Sequence, residues 1–136
     1  MKAEDEAIVA KIRANAELAI QTLSGPAGFK LGYDEKSLEW VDGYIERVRV
    51  DADPAMRNSL TSVLGSFLGE CVRWCYGGEW VNDDGQWGIA FDARNCAFPF
   101  SKVYKQFENG RAGGDSILVF FRVIPTVFKQ VRKPPP

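Results

Sequence analysis

Cys71 and Cys75 lie four residues apart, the spacing that puts two thiols on one helix face, and a third thiol follows at Cys96. A pair of thiols can bind a metal or cycle through a disulfide. The spacing, however, is not the paired Cys-x-x-Cys of zinc sites, and Phe67, Leu68 and Val72 mark the same face as the apolar one, so both cysteines read as core residues. Carboxylates come next. Glu70, Glu79, Asp83, Asp84 and Asp92 follow within one stretch, and two of them held at a fixed separation could act as acid and base. The simpler expectation is a turn at Asp83-Asp84-Gly85 and an alternating strand at Glu79, with Glu70 at the buried edge of a helix, satisfying backbone donors in the following turn. Arg73 is expected to point elsewhere around that helix.

The segment NGRAGGDS, Asn109 to Ser116, joins glycines to Arg111 ahead of a helix start, which are the ingredients of an anion site. Its spacing matches neither the Walker nor the dinucleotide pattern. It reads first as a connector between helices. Trp74, Trp80, Trp87, Phe91, Phe98 and Phe100 could stack on bases or sugars, yet in a small sheet packed on helices they belong to the core, with Trp87 left exposed as a contact residue.

Histidine is absent from the chain. That removes Ser-His-Asp and Cys-His activation, and nearly all zinc and non-heme iron sites. No metal and no cofactor is expected. Seventeen basic against eighteen acidic residues leave a net charge of −1, so no global attraction to phosphate backbones is available and nucleic acid is disfavoured as a partner. No apolar run reaches the ~20 residues that span a bilayer, and three cysteines suit a reducing compartment, so a soluble, cytoplasmic protein is expected.

The elements that must position these residues follow from periodicity. Ile8, Ile12, Ala16, Ala19 and Leu23 define a first helix from Glu4 to Leu23, stopping at Ser24-Gly25-Pro26-Ala27-Gly28 with Gly25 as its left-handed cap. Asp34 or Ser37 caps a second, with Leu38, Val41, Ile45 and Val48 inward and Glu39, Asp42, Glu46 and Arg47 wet. Asp53-Pro54 starts a third, whose stripe from Leu60 through Leu64, Phe67, Leu68 and Cys71 to Cys75 is broad enough for the central helix. After Gly77-Gly78 the period changes to two, predicting antiparallel strands at 80–82, 87–91 and 96–98. A helix over 102–108 and a last one capped by Asp115 and kinked or ended by Pro125 complete the chain. The expected fold is α+β: N-terminal helices, a small antiparallel sheet of about three strands, and C-terminal helices around one core. Residues 1–128 form one domain, and 129–136 a basic, proline-rich tail.

The run LGSFLGECVRWCYGGEW, then GIAF, AFPFSKVYKQFENG and DSI, is similar to a pattern of small uncharacterised bacterial domains: LGxxLGE on a helix, GGxW opening a sheet, PFxKVxKxxxNG, and DSI starting a last helix. The resemblance covers Leu60 to Ile124 and brings no catalytic residues with it. It implies a bacterial protein of a family of unknown function, and some domains of this layout are proposed immunity proteins that neutralise a toxin. The leading expectation is therefore a non-enzymatic protein-binding domain of immunity or regulatory type, acting by occlusion through Asp83, Asp84 and Trp87. The alternative is a small-molecule or anion binder, or a weak hydrolase, using Glu70, Glu79 and Arg111. A homodimer through the first helix or the tail is a third.

Overall fold

The computed structural model describes residues 2–128; the expected tail, 129–136, lies outside the described residues. The chain is α+β, with helices α1 (Ala3–Ala27), α2 (Glu35–Val48) and α3 (Pro54–Tyr76), strands β1 (Glu79–Asp83), β2 (Gln86–Ala90) and β3 (Cys96–Ala97), then α4 (Pro99–Asn109), a 3-10 turn (Arg111–Gly113) and α5 (Ile117–Val127). The strands run in the order β1-β2-β3 and pair antiparallel.

Helix α3 is central because every residue from Leu64 to Val72 is buried, on all sides of the helix: Leu64, Phe67, Leu68, Cys71 and Val72 form its apolar stripe, and Gly65, Ser66, Gly69 and Glu70 are covered on the other sides. It touches α1, α2, α4, α5 and β2. Asp53 starts it, its carboxylate accepting from the Met56 amide at 2.8 Å, with Pro54 at the first helical position where no amide is needed. Asp34 caps α2 in the same way through the Ser37 amide.

The strands shift by a residue or two from expectation, and several helix boundaries differ further. Helix α1 continues through Gly25 and Pro26 to Ala27, and the left-handed cap is Gly28, whose amide bonds the carbonyls of Ser24 and Gly25. Proline's fixed φ suits a helix, and in a last turn it forfeits only one bond; the Ser24 hydroxyl then accepts from the Leu31 amide and ties down the exit. Helix α4 begins at Pro99, earlier than 102. Helix α5 starts at Ile117, so its cap is the Ser116 hydroxyl, which accepts from the Val119 amide, while the Asp115 carboxylate accepts from the Asn109 side chain. Pro125 lies inside that helix without ending it.

The hairpin pairs Trp80 with Ile89 and Asn82 with Trp87 across the two-residue turn Asp84-Gly85. Both turn residues have positive φ, 53° and 87°, which matches the twist of the flanking strands, and the Asn82 side chain accepts from the Gly85 amide at 2.7 Å. Strand alternation sends Trp80 and Ile89, both buried, toward the helices, and sends Glu79, Val81, Ala90 and Cys96 to the opposite face.

Candidate functional site

Glu70 is nearly buried, and its Oε2 accepts from the Trp80 indole at 3.0 Å and from Arg73 Nε at 2.8 Å. The expectation that Glu70 serves backbone donors is thus corrected, as is the expectation that Arg73 points away. Both corrections have one cause. The strand that follows the double glycine folds back along α3 and lays the Trp80 ring on Gly69, where a Cβ would stand 2.1 Å from Cη2. The indole N–H, removed from water, then needs an acceptor in the next residue of the helix. One turn earlier Phe100 lies on Gly65 in the same way, a Cβ there meeting Cδ1 at 2.4 Å. Glu70 is a fastener between helix and sheet.

Arg111 is equally committed. Its Nε donates to Asp42 on α2, and its amide donates to both carboxylate oxygens of Glu46. Asp42, expected on the wet face of α2, is wholly buried. Its second oxygen accepts from the Ser116 hydroxyl at 2.5 Å and from the Leu118 amide at 3.1 Å. Gln106, also wholly buried, donates to Glu46 Oε2 and accepts from the Ile117 amide at 2.9 Å. The anion-binding ingredients of NGRAGGDS therefore assemble at the start of α5, and the anion is the chain's own carboxylate. Asp42, Glu46, Gln106 and Ser116 were missed as a group. The signal was the like-charged pair four apart on α2, in which Asp42 has no cation three or four residues away and so asks for one from elsewhere.

Glu70 and Arg111 are thus each held by different partners, and Glu79 is exposed on the outer face of the sheet. The three do not converge. Cys71 is unsuited to thiolate chemistry: burial pushes its thiol well above the ordinary value, with Cys75, Asp34 and Glu70 adding to the effect. Cys75 is half-buried, its thiol donating to the Tyr33 carbonyl at 3.4 Å. Among the described residues no group of histidine, cysteine or carboxylate side chains could hold a metal ion, and no helix is long and apolar enough to cross a membrane.

Trp87 is half-buried; the tryptophan with most exposure is Trp74, at 63%, its ring 5.7 Å from Tyr33. Trp87 shares its sheet face with Trp80 and faces α1, whereas Asp83 shares the other face with Glu79 and Val81. The single surface expected from Asp83, Asp84 and Trp87 is therefore divided between two sides of the hairpin.

Among the described residues the outer side is open. Val81, Ala90, Ala93 and Cys96 floor a trough of about 390 Å³, edged by Asp83, Asp92 and Arg94. Glu79 extends the edge along β1, and Asp84 stands at the turn. Asp92 closes the β2–β3 connection, accepting from the amides of Arg94 and Asn95 at 2.8 and 2.9 Å and from the Asn95 side chain. These bonds, the Arg94 amide first, hold its carboxyl below the usual range, so it stays charged in mild acid. The Cys96 thiol is raised by burial and then by Asp83. No protein-family model, curated protein or solved structure matches the chain.

Proposed function

We propose that the chain is a non-enzymatic protein-binding domain, of immunity or regulatory kind, that docks a basic partner on the open face of its sheet. The observation that carries this reading is the composition of that face. Four carboxylates, Glu79, Asp83, Asp84 and Asp92, surround a small-residue floor that no other element covers among the described residues, and Arg94 is the cation set against them. A one-sided field of this kind raises encounter rates with a cationic partner and disfavours acidic ones. The flat floor of valine, alanine and cysteine admits close approach of a partner surface, and binding would act by occluding what it covers.

The two β-strands supply rigidity. The face is backed by Trp80 and Ile89, both buried against the helices, so the charges are held before the partner arrives. Catalysis is not part of this reading, since Glu70 and Arg111, the groups that chemistry would require, are spent on internal contacts. The test is affinity capture from an extract of the source cell, comparing the native chain with Glu79→Lys/Asp83→Lys and with Asp51→Lys as an exposed control. The reading expects a basic protein that is lost with the double variant and kept with the control. An identical captured set for all three contradicts it.

A further inference from the structure

On the other side of the hairpin lies a second concavity that the docking face does not use. It is a groove of about 410 Å³ between α1, α3, the start of α4 and β2, within the size range of small-molecule sites. Its apolar wall is made of Ile8, Ile12, Trp87 and Phe100. The Phe100 ring is fixed in place, seated on Gly65 and 5.8 Å from the Trp80 ring. The hydroxyl of Ser66 is turned back onto the Ser62 carbonyl at 2.7 Å, so it makes no demand on an occupant. The wall is therefore apolar, with Phe100 held fixed.

The rim carries one charge. Lys11 is the charged residue lining the groove, beside the neutral Asn15 and Gln86. Its helical neighbours three and four away are Ala7, Ile8, Ala14 and Asn15, none of them acidic, and among the described residues it makes no ion pair. An apolar wall with an uncompensated ammonium at its edge is complementary to an amphiphile whose apolar body lies on Trp87 and Phe100 and whose anionic head meets Lys11. We propose that this groove binds a small apolar monocarboxylate.

The proposal is independent of the docking face, because the two surfaces lie on opposite sides of the sheet. It is tested with octanoate, octylamine and octanol as probes, added to the ¹⁵N-labelled chain at low salt while the indole resonances of Trp87 and Trp40 are followed. Octanoate is expected to shift Trp87 and to leave Trp40, on α2, unmoved. At low ionic strength octanoate should bind more tightly than octylamine, by up to about fivefold for one exposed charge contact. Lys11→Glu should invert that order, and Lys11→Gln should level it. Ile8→Glu, at a position 37% exposed where the fold tolerates a charge, should weaken octanoate binding. Equal binding of the three probes overturns the anionic head. No shift of Trp87 at millimolar octanoate, or a shift unaffected by Ile8→Glu, overturns the site.

Discussion

Replacing Gly69 by alanine tests the closure of α3 against the sheet. In an exposed helix this change stabilises by about 1 kcal/mol, because alanine has the higher helix propensity. Here the new methyl would meet Trp80 Cη2 at 2.1 Å and Cζ2 at 2.3 Å, with Pro99 Cγ at 3.2 Å behind. The ring cannot step aside freely. It is 1% exposed, packed 5.8 Å from Phe100, and its N–H is fixed on Glu70 at 3.0 Å. Overpacking a core costs roughly 1–3 kcal/mol. Losing a hydrogen bond to a charged acceptor costs about 1.5–3 kcal/mol more. Set against the propensity gain, the net loss is about 3 kcal/mol, or a melting temperature lower by roughly 10 °C for a chain of this size. Urea unfolding followed by tryptophan fluorescence measures it. Gly25→Ala is the control, since a Cβ at Gly25 meets nothing within 4 Å, and it should leave stability unchanged or raise it. If Gly69→Ala is as stable as the native chain, the Trp80 seat on α3 is wrong.

The buried carboxylate on α2 gives a second prediction: Asp42→Ala leaves Arg111, Ser116 and the Leu118 amide without their acceptor and should cost roughly 3 kcal/mol, less than a wholly buried pair because the Arg111 side chain is half exposed. Amide exchange should quicken at the start of α5 first, and unchanged exchange there counts against the cluster. Native protein treated with a thiol reagent at pH 8 should keep Cys71 unmodified until urea is added, because burial both shields the thiol and raises its pKa; modification of Cys71 in the folded chain contradicts its placement. Alkaline stability depends on Tyr76, whose phenol is pushed up to about 12 by burial and then by Cys75 and Glu35, and on Tyr33, raised by burial and by its bond to Glu17. The unfolded phenols ionise near ~10, so above that pH the unfolded chain binds fewer protons and stability falls as pH rises toward the folded values. Absorbance at 295 nm should show these tyrosines ionising late or only on unfolding, whereas early ionisation of all four refutes it.

What was legible in the sequence was what is decided locally. The Asp53-Pro54 start of α3 and the Asp84-Gly85 turn depend on side chains and dihedrals within a few residues, so residue type announces them. The roles of charged residues were not local. Asp42 is polar on a helix whose pattern allows it to be wet, and it is buried because Arg111 and Ser116 arrive from 69 and 74 residues away. Glu70 belongs to Trp80 for the same reason, although the glycine beside it held the clue that something large lies there. The division of Asp83 from Trp87 was within reach, since the hairpin register sends them to opposite faces once the turn is placed at Asp84-Gly85.

The docking face is tested most directly by photo-crosslinking in the source cell, with a benzophenone side chain in place of Val81 on the floor of the open sheet face. Val50, 75% exposed, outside the trough and just beyond the end of α2, is the comparison position. The account predicts an adduct between the Val81 variant and one basic protein, absent from the Val50 variant and diminished when Glu79→Lys and Asp83→Lys are added. No adduct at Val81, or the same adducts at both positions, contradicts it.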